Sequence, residues 1–205
     1  MTHVHVVDDH WMVRRGLREV LEASASVTQV TESENLHNAF DACQDPRRPV
    51  DVVILDLVLG AESGIAAIPQ FKTIAPKVGV LAISFMSEDP HGVHAIVQGA
   101  DGYVTKGVGP KEVIDAVGHI ASGRKYVSAS LAELLARRMQ NTGNLTVREW
   151  EIIRYYALGL GCVEIASRLS LSPKTVSSHK TNGMRKLGLR STADLVRWVM
   201  EHGLP

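Results

Sequence analysis

The chain has 205 residues, of which 45% are hydrophobic, and its 22 basic residues balance its 22 acidic ones. This length allows one large domain or two small ones, and no apolar run approaches the roughly 20 residues that a membrane span needs. The N-terminus, MTHVHVVDDH, has no basic region followed by an apolar stretch. The sequence therefore predicts no signal peptide and no membrane partner, and we expect a cytoplasmic protein.

The neutral total conceals an asymmetry along the chain. Residues 1–125 contain 11 basic and 16 acidic residues, a net charge of −5, whereas residues 144–205 contain 9 basic and 5 acidic residues, a net charge of +4. An acidic half joined to a basic half indicates two domains with different partners. We predict a first domain at 1–123, a linker with a connecting helix at 124–143, and a second domain at 144–205.

The first 125 residues alternate strand-like and helix-like runs. Apolar or β-branched runs predict strands at 4–9, 27–33, 50–57, 77–85 and 101–106. Runs between and after them predict helices at 11–23, 35–43, 65–74, 90–100 and 110–123. Five β-α units predict a doubly wound five-stranded parallel sheet with helices on both faces.

The rest of the chain predicts helices only. ASLAELLARRM (129–139) is typical of a connecting helix, and QNTGN (140–144) of a polar linker. Four further helices are predicted at 145–159, 163–171, 173–189 and 192–203, so the second domain is expected to be an all-α four-helix domain. Thr146 followed by Glu149 predicts a capping box at the start of the first of these helices.

Four of the predicted strands end in polar residues. They are Asp8 and Asp9, Asp56, Ser84 and Lys106. Ligands of doubly wound sheets bind beyond the carboxyl ends of the strands, so these side chains should converge there. Three clustered carboxylates repel one another unless a cation lies among them, and hard oxygen ligands suit Mg²⁺. A carboxylate beside Mg²⁺ can attack phosphorus and form an acyl phosphate, whose oxygens suit the hydroxyl and the ammonium.

The motifs VVDDH, VVILDL, VLAIS and GADGYVTK resemble the receiver domain of bacterial response regulators, over about residues 3–122. The resemblance implies a CheY-like (flavodoxin-like) fold, with Asp56 as the phosphoacceptor and Ser84 and Lys106 as sensors of the phosphoryl group. It implies a magnesium site at Asp8, Asp9, Asp56 and Val58. It also implies that Tyr103 is the rotating aromatic that relays the change, although a half-buried core tyrosine is an equally good interpretation of that residue.

Three positions depart from the usual receiver pattern. The segment after Asp56 is Val58-Leu59-Gly60 rather than Met-Pro-Gly, Ser84 replaces the commoner Thr, and Phe85 occupies a position that is usually small. The serine keeps the hydroxyl but has a looser rotamer preference. A bulky Phe85 is expected to restrict access to Asp56, and we expect slow phosphoryl transfer or slow hydrolysis.

The segment from Ser172 to Arg190 contains five Lys or Arg residues and no acid. Ser172 and Pro173 suit the start of a helix, and on that helix Val176, Met184 and Leu187 fall near one stripe. Short polar side chains lie on another side, flanked by cations, an arrangement that suits base edges and phosphates of a major groove. With the preceding short helix this gives a helix-turn-helix.

Residues 145–203 resemble the LuxR-type DNA-binding domain. The residues that carry this resemblance are Leu145, Thr146, Arg148, Glu149, Glu151, the EIA at 164–166, Leu169, the KTVSSH at 174–179 and the KLGL at 186–189. A receiver followed by this domain is similar to the NarL/FixJ class of response regulators, and KTVSSHK looks closest to its RcsB and BvgA branch. The match implies that Ser177, Ser178 and Thr181 read base edges, with Lys174, Thr175 and Lys180 on the DNA backbone.

We therefore expect a transcription regulator that is not an enzyme in its own right. A sensor histidine kinase or phosphotransfer protein would phosphorylate Asp56, and the protein would then dimerise and bind double-stranded promoter DNA. One alternative is a phosphorylation-independent regulator controlled by a partner protein. A second, a phosphatase or hydrolase with Asp56 as nucleophile, needs an acid two residues after the nucleophile, where the chain has Val58.

Overall fold

The computed structural model describes residues 2–141 and 145–202, and the chain forms two compact units, 1–132 and 133–205. The division falls within the connecting helix α6 (Ala129–Asn141). Of the predicted polar linker at 140–144, the first two residues belong to α6 and the other three lie outside the described residues. The domain boundaries at 1–123, 124–143 and 144–205 remain predictions.

The first unit is built on a five-stranded parallel sheet, which confirms the predicted α/β fold class. Its strands are β1 (Thr2–Val7), β2 (Val27–Ser33), β3 (Val52–Asp56), β6 (Gly79–Ser84) and β7 (Gly102–Thr105), in the spatial order β2-β1-β3-β6-β7. All neighbouring strands are parallel. A small antiparallel hairpin, β4 (Val58–Leu59) and β5 (Glu62–Ser63), follows β3 and was not predicted.

A helix follows each strand of this sheet along the chain. These helices are α1 (Trp11–Glu22), α2 (Leu36–Gln44), α3 (Gly64–Ile74), α4 (Val93–Val97) and α5 (Pro110–Ala121). The largest difference from prediction concerns α4, which has five residues where 90–100 was expected and is preceded by a single π-helical turn at Glu88–Gly92. Asp89 has φ −106° and ψ 121°, outside the helical region, because a proline pushes the residue before it toward extended backbone.

The core of this unit lies between the central strands and the helices. All residues of β3 and β6 are buried, as expected for strands covered on both faces. On one face, the strands pack against α1 and α5. The residues in contact there are Val4, Ile54 and Leu81 of the strands, Leu17 and Leu21 of α1, and Val113, Val117 and Ile120 of α5. This packing fixes the carboxyl ends of the strands relative to one another.

The second unit contains α7 (Val147–Ala157), α8 (Cys162–Leu169), α9 (Pro173–Lys186) and α10 (Thr192–His202). The capping box of α7 is present: the Glu149 N–H donates to Thr146 Oγ1 at 3.2 Å, and the Thr146 N–H donates to Glu149 Oε2 at 2.8 Å. Two small cores hold the four helices, one around Ile152, Ile165 and Val176 and one around Ile153, Leu195 and Val199. Within the described ranges, no helix has the length and apolarity that crossing a membrane requires.

Candidate functional site

The carboxylates that follow β1 and β3 meet at one edge of the sheet. Val7 pairs with Leu55 across these parallel strands, so Asp8 and Asp56 are neighbours beyond the last pair. One oxygen each of Asp8, Asp9 and Asp56 and one ring nitrogen of His10 all lie within 4.8 Å of one another. The sequence prediction placed the three acids at this edge but did not include His10, although it directly follows them in the chain.

Lys106 lies among these acids. Its Nζ is 2.7 Å from Asp56 Oδ2 and 2.6 Å from Asp8 Oδ2. The side chains of Asp8, Asp56 and Lys106 are at most 4% exposed. One ammonium therefore serves two buried carboxylates, and the buried charge of the site is negative.

Burial and charge pairing act in opposite directions on the pKa values of Asp56 and Lys106. Burial raises the pKa of Asp56, although the hydrogen bonds from Lys106 and from the Val58 N–H (3.1 Å) act to lower it. Burial acts to lower the pKa of Lys106, but its interactions with Asp56 and Asp8 outweigh burial and raise it. Lys106 thus keeps its proton, and the positive charge stays beside Asp56.

The donor set suits a hard divalent cation. Asp8 Oδ2 is buried and paired with the Lys106 ammonium 2.6 Å away. The cluster offers carboxylate oxygens from Asp8, Asp9 and Asp56, the ligand type of Mg²⁺. Val58, 44% exposed, has only its main-chain carbonyl to offer as a ligand.

The two predicted sensors lie at the ends of neighbouring strands, Ser84 as the last residue of β6 and Lys106 directly after β7. Ser84 is 2% exposed at the end of β6, and its Oγ accepts from the Met86 N–H at 3.2 Å. The Lys106 N–H donates to the Ser84 carbonyl oxygen at 2.8 Å. Tyr103 is 1% exposed, so it is fully buried rather than half-buried, and its hydroxyl donates to the Met86 carbonyl oxygen.

Phe85 stands at the surface beside this site. Its side chain is 76% exposed, and Lys106 Nζ lies 5.0 Å from its ring centroid. The ring therefore lies over the lysine on the solvent side instead of packing into the core.

Gly64, which sequence reasoning missed, keeps the loop after Asp56 close to β3. A Cβ on Gly64 would lie 2.0 Å from the Asp56 carbonyl oxygen and 2.8 Å from Leu57 Cα. Only glycine allows α3 to begin this close to the backbone of the candidate phosphoacceptor. Its one sequence signal is its place directly after Ser63, the N-cap of α3.

The second candidate site is the outer face of α9. Lys174, Ser177, Ser178 and Thr181 are exposed, Thr175 and Lys180 are half-buried, and Val176 is fully buried. Met184 and Leu187 pack into the domain core, as their spacing predicted. The helix begins at the predicted N-cap Ser172, whose Oγ accepts from the Thr175 N–H at 3.0 Å.

Lys180 differs from the other candidate DNA-binding residues. Its Nζ donates to Thr192 Oγ1 at 2.9 Å and lies 4.2 Å from the ring centroid of Tyr156. These contacts join α9 to the start of α10 and to α7. Ser178 is also bonded within the domain, because its hydroxyl donates to the Lys174 carbonyl oxygen at 3.0 Å.

Comparison with known proteins identifies two families in the chain. Residues 4–118 match the family described as response regulator receiver domain, and residues 143–199 match the family of bacterial regulatory proteins called the luxR family. The chain is 29% identical to the response regulator UvrY of Escherichia coli (strain K12) over 211 residues, covering all of this chain and 96% of that protein.

Two solved structures of RcsB are also similar to the chain. One is RcsB from Salmonella enterica serovar Typhimurium bound to a promoter in the presence of the phosphomimetic beryllofluoride, with 26% identity, a TM-score of 0.60 and coverage of 98% of this chain and 99% of that one. The other holds two RcsB dimers on two parallel DNAs, with 28% identity, a TM-score of 0.61 and the same coverage.

The receiver match spans more than half of the chain, and the chain belongs to the response regulator family. It is a response regulator whose receiver domain is followed by a LuxR-type DNA-binding domain, of the NarL/FixJ class. Both the predicted family and the predicted function in transcription are confirmed.

Proposed function

We propose that Asp56 accepts a phosphoryl group and that this modification controls DNA binding by the second domain. The observation that carries the proposal is the position of Asp56, buried at the end of β3, within 2.7 Å of Lys106 Nζ and beside Asp8. This arrangement provides a nucleophilic carboxylate and a fixed cation in one place.

The metal of the site is proposed to be Mg²⁺, held by Asp8, Asp9 and Asp56 with the main-chain carbonyl of Val58. Bound there, the ion would offset the negative charge of the acids and of the incoming phosphoryl group. His10 Nδ1 lies 2.7 Å from Asp9 Oδ1. Because Mg²⁺ prefers oxygen ligands, we assign His10 to orienting Asp9 and not to the ion.

The phosphoryl donor is proposed to be a phosphohistidine of a sensor kinase or of a phosphotransfer protein. A carboxylate oxygen of Asp56 forms the new bond to phosphorus while the phosphorus–nitrogen bond breaks, and the imidazole leaves with the bonding electron pair. Lys106 supplies positive charge to the transferred oxygens. Hydrolysis of the resulting acyl phosphate ends the signal, so the protein acts as a phosphoacceptor and turns over no separate substrate.

The output is proposed to be binding of double-stranded promoter DNA as a homodimer. Ser177, Ser178 and Thr181 would face base edges, while Lys174, Thr175 and Lys180 would lie near the backbone. One recognition helix covers few base pairs, whereas two symmetric copies read a pseudo-palindrome. Beryllofluoride-bound RcsB on a promoter and RcsB dimers on DNA support this proposal by similarity. Because the DNA partner is chromosomal, the proposed compartment is the cytoplasm.

A labelling experiment tests the phosphoacceptor. The full chain is incubated with Mg²⁺ and a small acyl phosphate donor, and intact mass and peptide mapping report the added phosphoryl group. We expect one phosphoryl group on the peptide that contains Asp56, none on Asp56→Asn, and the wild-type result for Asp41→Asn, a control at an exposed acid of α2. Equal labelling of Asp56→Asn would overturn the proposal, and an unlabelled wild type would favour the regulator controlled by a partner protein.

A further inference from the structure

The first turn of α6 is bound to the turn that follows β6. Glu88 lies in this turn, and its two carboxylate oxygens accept hydrogen bonds from the hydroxyls of Ser128 and Ser130. Ser128 also caps α6, because its Oγ accepts from the Leu131 N–H at 3.0 Å. One carboxylate therefore holds two hydroxyls at the start of the helix that leads to the DNA-binding domain.

Apolar packing reinforces this attachment. Leu131, in the first turn of α6, is fully buried. A Cβ on Gly92 would lie 3.0 Å from the Tyr103 ring and 3.3 Å from Leu131 Cδ1. Gly92 therefore lies between the buried Tyr103 ring and α6, where there is little room for a side chain. A movement of the Tyr103 ring would change the packing of Leu131.

The segment before α6 is joined to the same region through its backbone. The Tyr126 N–H donates to the Asp101 carbonyl oxygen at 2.8 Å, and the Tyr103 N–H donates to the Tyr126 carbonyl oxygen at 3.3 Å. Tyr126 forms a parallel bridge with Gly102 at the start of β7. Main chain, apolar side chain and carboxylate all fasten this segment to the neighbours of Tyr103.

Hydrogen bonds join Ser84 to Met86, close to Glu88 in the chain, and Met86 to Tyr103. Ser84 Oγ accepts from the Met86 N–H, the Met86 carbonyl oxygen accepts from the Tyr103 hydroxyl, and Glu88 is two residues further along. If Ser84 Oγ turns to a phosphoryl oxygen on Asp56, the Met86 N–H loses its acceptor. Loss of this bond would leave the backbone that carries Glu88 free to shift.

We propose that Glu88, Ser128 and Ser130 form a latch that holds the first turn of α6 on the receiver, and that phosphorylation loosens it through Ser84 and Met86. The inference rests on the proposed function of Asp56 and adds the route by which the signal reaches the connecting helix. Local opening of a helix turn is the expected consequence, since such elements open independently of the core.

Hydrogen–deuterium exchange of the full chain tests the latch. Glu88→Ala removes the acceptor and leaves the Ser128 cap in place, and Ser130→Ala removes one donor as a milder second variant. We expect the amides of the first α6 turn to exchange at least tenfold faster in Glu88→Ala, and by a smaller factor in Ser130→Ala. Asp115→Ala, an exposed acid of α5, is the matched control and should keep the wild-type rates.

Beryllofluoride with Mg²⁺ then probes the coupling to Asp56. Binding should speed exchange of the same amides in the wild type but change little in Glu88→Ala, where the latch is already open. Unchanged exchange in both latch variants would overturn the latch. If fluorine NMR shows bound beryllofluoride while wild-type α6 exchange stays constant, the coupling between Asp56 and the latch is overturned, but the proposed role of Asp56 as phosphoacceptor is not. If no beryllofluoride binds, the proposed function fails, and the inference fails with it.

Discussion

At the scale of single residues, Gly64 determines how closely the loop after Asp56 approaches β3. Gly64→Ala would bring a Cβ to 2.0 Å from a backbone oxygen, and we expect a loss of about 1–3 kcal/mol in the free energy of unfolding, a cost typical of forced overpacking. Gly118→Ala is the matched control, because nothing lies within 4 Å of its Cβ on α5. Gly118→Ala should raise the free energy of unfolding by about 0.5–1 kcal/mol. Urea unfolding measures both, and equal effects would contradict this role of Gly64.

Phe85 is expected to affect the rate at which Asp56 loses its phosphoryl group. Its exposed ring lies over Lys106, the partner of Asp56. If the ring restricts the access of water to Asp56, Phe85→Ala should speed loss of the phosphoryl group several-fold. Intact mass, followed after removal of the phosphodonor, gives the rate. Val97→Ala, which removes an exposed apolar side chain on α4, is the control. A rate that rises little in Phe85→Ala would show that the ring does not limit access of water.

At the scale of elements, Glu149 joins two helices of the DNA-binding domain. Lys186 Nζ donates to Glu149 Oε2 at 2.7 Å. Together with the hydrogen bond from the Thr146 N–H, this contact lowers the pKa of Glu149 from its ordinary value of 4.5 to about 2. A lowered pKa in the folded state stabilises the fold fully above about pH 4.5, and this stabilisation is lost as pH falls toward about 2.

Unfolding followed by tryptophan fluorescence tests this pH dependence. Trp150 and Trp198 pack edge to face with centroids 6.0 Å apart in this domain, and Trp11→Phe removes the receiver signal. Glu149→Gln should lower stability at neutral pH and flatten its decline between about pH 4.5 and 2. Glu151→Gln removes a more exposed acid, paired with Arg148, and should change little. An unaltered pH profile in Glu149→Gln would exclude the carboxylate as its source.

The two lysines of α9 should behave differently. Lys174 is exposed in the first turn, so Lys174→Ala should weaken binding to duplex DNA and reduce the slope of log affinity against log salt by about 1. Lys180 is tied to Thr192 and Tyr156, so Lys180→Ala should also lower the free energy of unfolding. Fluorescence anisotropy at several salt concentrations measures the slope, with Lys111→Ala in the receiver as control. A wild-type slope in Lys174→Ala would remove this residue from the interface.

Elements that depend on interactions between nearby residues in the chain were predicted from the sequence, and those that depend on distant residues were not. Strands such as β2 and caps such as Thr146 depend on local periodicity and neighbouring residues, and the sequence predicted both. The short α4 and the β4–β5 hairpin depend on Pro90 and on the path of the chain after Asp56, which periodicity does not report. The contacts of Gly64 and Glu88 join distant positions, so no local pattern indicated them.

At the scale of the whole molecule, the two units differ in charge and in proposed partner. The acidic receiver would take up the phosphoryl group and the basic helical domain would bind the polyanion. Opposite net charges along one chain suit this division, since charge controls association with nucleic acid. The connecting helix belongs to both units by sequence, with its first turn in unit 1–132, and the proposed latch acts there.

The measurement that tests the phosphorylation switch most directly is the molecular mass in solution. Light scattering would compare the full chain with Mg²⁺ alone and with Mg²⁺ plus beryllofluoride, using Asp56→Asn as the control. We predict that the 22.3 kDa monomer becomes a dimer of twice that mass only when beryllofluoride is added, and that Asp56→Asn stays monomeric. A wild-type mass that is the same under both conditions would contradict control of dimerisation through Asp56.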